Sequence, residues 1–232
     1  MNTQQFDMQN YLSALPMFGN LSRPERENVV RDCQLRRLAR GDMVFRAGEE
    51  CEAFHFIISG QVKLYFASPS GQEKVIEIVG QGHSFAEAMM FLQKPHLYNA
   101  QTLTDTLMMS IGKRAVLGEI KRDHRFSMHM LTGISHCMHR LLQDVEGYAL
   151  HSGMQRLIGY LLRDVPEGNT ANKGIFTVSL PVSKATIASR LSLTPEYFSR
   201  VLHELEAERL IEIDKREIRI LDAHRLANYC AT

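Results

Sequence analysis

Near the end of the chain, three polar side chains lie close together in the sequence. Their hydrogen-bonding groups suit the planar polar edges of nucleic-acid bases. In the segment "TPEYFSRVLHEL", Glu196, Ser199 and Arg200 are spaced three and four residues apart, which places them on one face of a helix. An arginine can donate two parallel hydrogen bonds to guanine O6 and N7, and a glutamate can accept one from cytosine N4. The spacing therefore favours the reading of base edges, and the alternative is an ordinary surface ion pair between Glu196 and Arg200.

The segment from Val182 to Leu221 contains the elements that would position these side chains. It predicts a first helix over Ser183–Leu191, a short turn, a second helix capped by Thr194 with Pro195 at its first position, and a hairpin that turns at 214–216. Together these elements indicate a winged helix-turn-helix, in which the N-terminal part of the second helix enters the major groove. The residues expected to contact DNA are Ser183, Thr194, Glu196, Tyr197, Ser199, Arg200 and His203.

A second candidate site surrounds Glu87 in the segment "SFAEAMMFLQKPHLYN". A carboxylate among apolar neighbours costs free energy unless a partner compensates it, so we expect Glu87 to hydrogen-bond to backbone amides of its own domain or to a neighbouring helix. Between Gly41 and Ile111, the runs "FHFIISG", "QVKLYFA" and "EKVIEIVG" are rich in β-branched and aromatic residues and end at turn-forming residues. This texture predicts a small β-roll or barrel. Before it, residues 22–38 predict one capped helix.

A long helix follows the predicted roll, through "FSMHMLTGISHCMHRLLQDVEGY". Its apolar residues recur at steps of four and three, which is typical of a helix that packs along one face. The stripe could cover the helix's own domain, but it is longer than a small roll needs, so we favour a dimer seam. The predicted seam residues are Phe126, Met130, Ile134, Met138, Leu141 and Val145.

The predicted fold class is therefore α+β: an N-terminal β-roll, a long dimerisation helix and a C-terminal winged helix-turn-helix. The domain boundaries that we expect are 1–113 for the roll with its N-terminal helices, 114–150 for the dimerisation helix and 151–232 for the DNA-binding domain.

Composition excludes several classes of protein. The chain has 232 residues and a formal net charge of +1, which suits two modest domains but gives no overall attraction to nucleic acid. It has no apolar run near the ~20 residues of a membrane span and no secretory signal, so we expect a cytoplasmic protein without a membrane partner. The four cysteines include no C-x-x-C pair, so neither a zinc ribbon nor an iron–sulfur cluster is expected. No nucleophile–base set or phosphate loop is present, which predicts that the chain is not an enzyme.

A glycine-punctuated roll, a long helix and a winged helix, in this order, resemble the cyclic-AMP-receptor/fumarate-nitrate-reduction (CRP/FNR) family of bacterial transcription regulators. "EYFSR" matches the E-x-x-S-R pattern of the oxygen- and nitric-oxide-responsive branches, which implies that Glu196, Ser199 and Arg200 read a TTGAT half-site. "GQEKVIEI" and "FAEAMMF" most resemble the dissimilatory nitrate respiration regulators, which respond to nitric oxide through haem. The resemblance implies that the N-terminal roll is a cyclic-nucleotide-binding-like β-roll, or jelly roll. It also implies a homodimer that binds double-stranded DNA and RNA polymerase and controls anaerobic and denitrification genes.

The resemblance also bears on the effector. In the cyclic-nucleotide branch an Arg-Ser pair holds the phosphate, but Leu97 and Tyr98, or Tyr98 and Asn99, stand at that place here. A buried phosphate without a cation is poorly compensated, so cyclic AMP is not expected to bind. An apolar pocket suited to haem b is expected instead. Its predicted lining is Leu64, Phe85, Glu87, Met89, Met90, Phe91, Leu97, Tyr98, Met130 and Ile134.

Haem needs an axial ligand, usually histidine. The ligand position of the carbon-monoxide-sensing branch is Ala88 here, and the N-terminal segment "SALPMF" contains no histidine. The candidates are His83, His96, His129, His136 and His139, of which His83 and His136 are put forward.

Three other readings remain open. The same architecture could be gated by a cyclic nucleotide, or by oxidation of Cys33, Cys51 or Cys137. A cupin-like metal enzyme is the alternative from another class, because Gly82, His83 and Glu87 faintly resemble a metal-binding strand. A cupin metal site needs a second nearby histidine on the same sheet, and the sequence has none two residues after His83.

Overall fold

The computed structural model describes residues 6–15, 18–19, 21–163, 176–180 and 182–229. The chain divides into two compact units, residues 1–72 with 76–141 and residues 73–75 with 142–232. The division falls inside the long helix, whereas the sequence suggested a separate dimerisation segment. No described helix is both long enough and apolar enough to cross a membrane.

The N-terminal unit begins with helices α1 (Met8–Ala14) and α2 (Arg23–Arg31). Helix α2 starts as predicted, because Ser22 and Glu25 form a capping box. Its predicted end at residue 38 is wrong, since Cys33–Leu38 is strand β1 and pairs antiparallel with Thr106–Ile111 of a later strand. The local pattern suited a helix, but pairing with a distant strand supplies the backbone hydrogen bonds of this segment.

The elements of the roll that follow β1 are β2 (Met43–Phe45), β3 (Ala53–Ser59), β4 (Val62–Ala67), β5 (Glu73–Val79), β6 (Ser84–Phe85), α3 (Glu87–Leu92), β7 (Asn99–Thr102) and β8 (Thr106–Gly112). They confirm the predicted β-roll, as two four-stranded sheets in the orders β1-β8-β3-β6 and β2-β7-β4-β5. The three strand-like runs of the sequence correspond to β3, β4 and β5.

One hydrophobic core holds this unit together. It takes side chains from both sheets, among them Phe54, Ile57, Val62 and Met108. Helices α4 (Lys113–Arg122) and α5 (His124–Leu150) follow the roll, and α5 is the predicted long helix.

The C-terminal unit confirms the predicted winged helix-turn-helix. It contains α6 (Gly153–Leu162), β9 (Phe176–Ser179), α7 (Lys184–Arg190), α8 (Pro195–Ala207), β10 (Ile211–Asp214), β11 (Glu217–Ile220) and α9 (Ala223–Asn228). The hairpin turns between Asp214 and Glu217, as expected, and β9 adds a third strand that the sequence analysis did not predict.

Candidate functional site

Helix α8 is the element that presents the predicted DNA-reading side chains. The Thr194 hydroxyl accepts a hydrogen bond from the Tyr197 amide at 3.2 Å, and Pro195 occupies the first position, so the helix begins where the sequence predicted. On its inner face Phe198, Leu202 and Leu205 are fully buried in the core of the unit. Because burial of these side chains fixes the rotation of α8 about its axis, the residues on the opposite face of the helix point outward.

The outer face carries the proposed reading residues. Glu196, Arg200 and His203 are exposed, and Ser199 is half-buried beside them. Within the described part of the chain Glu196 and Arg200 do not pair with each other, although the spacing would allow it. The surface ion pair that competed with base reading is therefore not formed.

The other predicted DNA contacts have structural roles as well. Ser183 is the N-cap of α7 and accepts a hydrogen bond from the Thr186 amide at 3.2 Å, while its side chain stays exposed. His203 lies 3.5 Å from the Glu206 carboxylate. The ring of Tyr197 is half-buried and lies under the guanidinium of Arg200, with 4.9 Å from the Arg200 carbon Cζ to the ring centroid.

Arg190 is a residue whose role the sequence analysis missed. It ends α7, and its guanidinium lies 2.6 Å from the Asp144 carboxylate and 2.8 Å from the Tyr148 hydroxyl. The same hydroxyl donates to the Arg190 carbonyl at 2.7 Å. These contacts tie the first helix of the helix-turn-helix to the last turns of α5, and no short-range pattern marks residues so far apart as partners.

Glu87 is the first residue of α3 and is 9% exposed. Hydrogen bonding from the Ser84 hydroxyl and from the Glu87 backbone amide lowers the pKa of its carboxylate. Burial still raises the pKa of Glu87 above its ordinary value, because desolvation outweighs these hydrogen bonds.

Most of the predicted apolar pocket residues belong to the interior of the roll. Leu64, Phe85 and Met90 are buried in the roll core, and Met89, Phe91 and Tyr98 pack against it. Leu97 is 63% exposed, so its prediction as a pocket residue is wrong. It lies in the loop between α3 and β7, where the helical and strand periods that guided the prediction do not apply. Met130 belongs to the core, and Ile134 is half-buried.

The histidines put forward as haem ligands, His83 and His136, are both exposed, so apolar side chains enclose neither of them. His139 is also exposed. His96, by contrast, is buried, and its ring stacks on Phe45 with centroids 3.5 Å apart and planes 5° apart. Its Nδ1 has no hydrogen-bond partner among the described residues, and burial lowers the pKa of its imidazole.

The three described cysteines lie in surroundings that disfavour the thiolate. Burial raises the pKa of Cys33 to about 12, and it also raises the pKa of Cys51 and of Cys137. The thiolate is the form that reacts with oxidants, so these thiols are poorly suited to redox sensing. Among the described residues, no group of three or more His, Cys, Asp or Glu side chains is arranged to hold a metal ion.

The predicted dimer seam divides into two parts. Phe126 and Met130 are buried in the core of their own unit, where Phe126 lies 5.5 Å from Phe18 between ring centroids. Their assignment to the seam is wrong, because the first turns of α5 cover the chain's own domain. Further along the helix, Met138, Leu141 and Val145 are all more than half exposed.

Comparison with known proteins adds independent information. The cyclic nucleotide-binding domain model matches residues 35–123, and the Crp-like helix-turn-helix domain model matches residues 155–229. The "Probable transcriptional regulator flp" of Lacticaseibacillus casei is 27% identical over 221 residues, covering 94% of this chain and 96% of that protein. The "CRP-like cAMP-activated global transcriptional regulator" of Mycobacterium tuberculosis is 24% identical over 188 residues, covering 81% of this chain and 84% of that protein.

Among solved structures, that of DNR from Pseudomonas aeruginosa is 33% identical, with a TM-score of 0.52, and the match covers 97% of this chain and 98% of that one. The two domain models match in the order that the fold shows, and the matched proteins are transcription regulators rather than enzymes. The chain therefore belongs to the CRP/FNR family of transcription regulators, whose members bind DNA and form dimers.

Proposed function

We propose that this protein is a homodimeric regulator that reads a TTGAT-like palindrome with Glu196, Ser199 and Arg200. The observation that carries the proposal is the geometry of α8: its apolar face is locked in the core, and the exposed Glu196 and Arg200 lie unpaired with each other in its N-terminal half. Arginine and glutamate at these positions have the hydrogen-bonding groups to contact guanine and cytosine edges in a major groove.

Charge explains why two copies are needed. Residues 181–232 carry eight lysines and arginines and eight carboxylates, so the module is close to neutral. Because phosphate contacts supply most non-specific affinity, one module alone binds weakly. Two modules on one dimer, at half-sites about 34 Å apart, bind strongly enough to be useful.

Replacing Arg200 by alanine tests this reading face. We expect a loss of about 1–3 kcal/mol per half-site on the palindrome and a loss of discrimination at the guanine, measured by titration of matched and guanine-substituted duplexes. Arg225→Ala is the control, because Arg225 is an exposed arginine on α9 in the same unit. Arg225→Ala should bind both duplexes like the unsubstituted protein. If Arg200→Ala also does so, Arg200 does not read the base.

For the signal, the proposal is gating by nitric oxide through haem b in the roll, with control of anaerobic and denitrification genes together with RNA polymerase. His96 fits the role of axial ligand better than His83 or His136, because it is buried in aromatic surroundings and its Nδ1 has no partner among the described residues. Haem, when bound, supplies an iron that coordinates a diatomic gas. The chain's own contribution is the imidazole and the apolar surroundings that exclude water.

An absorption spectrum of the protein, purified without oxygen and loaded with haem, tests this part. We expect a Soret band that shifts when nitric oxide is added and that weakens strongly in His96→Ala. His83→Ala is the matched control, because His83 is exposed, and it should leave the band unchanged. A band that is absent, or that is indifferent to His96→Ala, contradicts the assignment.

Gating by a cyclic nucleotide is the second candidate, and the M. tuberculosis relative, named as cAMP-activated, favours it. Against it, Leu97 is exposed and Tyr98 and Asn99 carry no cation, so this segment has no counterpart of the phosphate-binding arginine. Titration of cyclic AMP should therefore leave the affinity for the palindrome unchanged, and tighter DNA binding on addition would favour the second candidate.

A further inference from the structure

We propose that Tyr197 is a positioning residue that sets specificity at the guanine by holding the Arg200 guanidinium in the orientation for base reading. This inference rests on the proposed function of Arg200 as the guanine reader. It gives Tyr197 a role through another side chain, in place of the direct DNA contact that its position in the sequence suggested.

The first observation is the contact between the two side chains. Arg200 Cζ lies 4.9 Å from the centroid of the Tyr197 ring, within the range of an attractive cation–π interaction. The two residues are three apart on α8, so they are neighbours on one helical surface. A long arginine side chain otherwise samples many rotamers, and an aromatic face restricts them before DNA arrives.

The second observation concerns the support beneath the ring. Gly153 is the first residue of α6, and a Cβ built on it would lie 2.7 Å from Tyr197 Cε1 and 3.1 Å from Cζ. The same Cβ would lie 2.8 Å from Leu193 Cδ2. The tyrosine ring therefore packs directly on the glycine backbone, and any larger residue at 153 would push it away.

These two contacts form a chain from Gly153 through Tyr197 to Arg200. Two parallel hydrogen bonds to guanine require the guanidinium plane to match the base edge, whereas a phosphate accepts a cation from many directions. Orientation by Tyr197 should therefore add to discrimination between sequences and leave non-specific affinity almost unchanged.

The test compares Tyr197→Phe, Tyr197→Leu and Gly153→Ala in the full-length protein. For each variant, the affinity is measured for a TTGAT-type palindrome and for the same duplex with the guanines replaced. Tyr197→Phe keeps the ring and should keep the wild-type ratio of affinities. Tyr197→Leu removes the ring and Gly153→Ala displaces it, so each should lower the ratio about 2- to 5-fold per half-site, the size expected for an exposed cation–π contact.

Gly153→Ala keeps the Tyr197 side chain itself and displaces its ring together with Leu193. Alanine favours a helix more than glycine does, so this variant is not expected to unfold α6. In an Arg200→Ala background, Tyr197→Leu should have no further effect on the ratio. If Tyr197→Phe weakens binding to both duplexes, or if Tyr197→Leu lowers both affinities equally, Tyr197 contacts the DNA backbone and the inference is overturned.

The test also separates this inference from the proposed function. If Arg200→Ala abolishes discrimination while Tyr197→Leu and Gly153→Ala retain it, only the positioning role of Tyr197 fails. If Arg200→Ala leaves discrimination intact, the proposed function of Arg200 fails, and the role of Tyr197 fails with it.

Discussion

At the scale of single residues, Glu87 shows how burial controls a charge. Its carboxylate receives hydrogen bonds from the Ser84 hydroxyl and its own amide, and Arg140 attracts it weakly while Glu77 repels it. Desolvation is the largest contribution, so the pKa of Glu87 lies above the ordinary value of 4.5. Holding this charge at neutral pH therefore costs the roll part of its stability.

Replacing Glu87 by glutamine should remove that cost. The unfolded chain releases the Glu87 proton near its ordinary pKa, but the folded protein holds the proton to higher pH. The free energy of unfolding of the unsubstituted protein therefore falls as pH rises through this window. We expect the stability advantage of Glu87→Gln to be small at about pH 4 and to grow towards about pH 7.

Denaturant titrations at several pH values measure this difference. Glu50→Gln is the control, because Glu50 is exposed in a loop and its substitution removes a carboxylate without removing a buried charge. An advantage of Glu87→Gln that is constant across the pH range would show that the Glu87 carboxylate is not destabilised by burial.

At the scale of secondary-structure elements, glycines at positive φ decide how tightly the chain can turn between two pairs of consecutive strands. Gly60, between β3 and β4, has φ of 91°, and a Cβ there would lie 2.5 Å from both the Asp105 carbonyl oxygen and the Thr106 hydroxyl oxygen. Gly71, between β4 and β5, has φ of 82°, but a Cβ added there would meet no atom within 4 Å. The two positions share the backbone requirement and differ in the space available.

We therefore expect Gly71→Ala to cost about 1 kcal/mol, from backbone strain alone. Gly60→Ala should cost several kcal/mol, about 1–3 kcal/mol more than Gly71→Ala, because the chain must also move to admit the methyl group. Thermal or denaturant unfolding of the two variants gives the comparison directly, and equal losses would mean that the contact at Gly60 relaxes freely.

At the scale of the whole molecule, α5 carries apolar surface that its own chain leaves exposed. Beyond Met130, the side chains of Leu131, Met138, Leu141, Leu142 and Val145 are each more than half exposed. Met138 follows Leu131 by seven residues, and the later residues of the stripe follow at steps of three or four. This spacing matches the apolar seam of two helices packed side by side. A second copy of the same helix is the partner that the proposed homodimer requires.

A charge in this stripe should separate the dimer. Leu142→Glu is expected to shift the protein towards monomer in analytical ultracentrifugation and to weaken binding to a palindrome, because the two modules are then no longer held together. Leu97→Glu is the matched control, since Leu97 is equally exposed but lies on a loop of the roll. A Leu142→Glu variant that remains a dimer would place the seam elsewhere.

The sequence by itself determined the features that depend on short-range chemistry. Thr194 and Pro195 marked the start of α8, and the period of Phe198, Leu202 and Leu205 identified its inner face, because capping and periodicity act within a few residues. The tertiary structure decided what depends on distant partners. Pairing with a distant strand makes Cys33–Leu38 a strand, and the packing of the N-terminal unit buries Phe126, Met130 and His96. The packed chain also leaves Leu97 exposed and places Gly153 against the ring of Tyr197. Periodicity shows which face of an element is apolar, but only the packed chain shows which atoms cover that face.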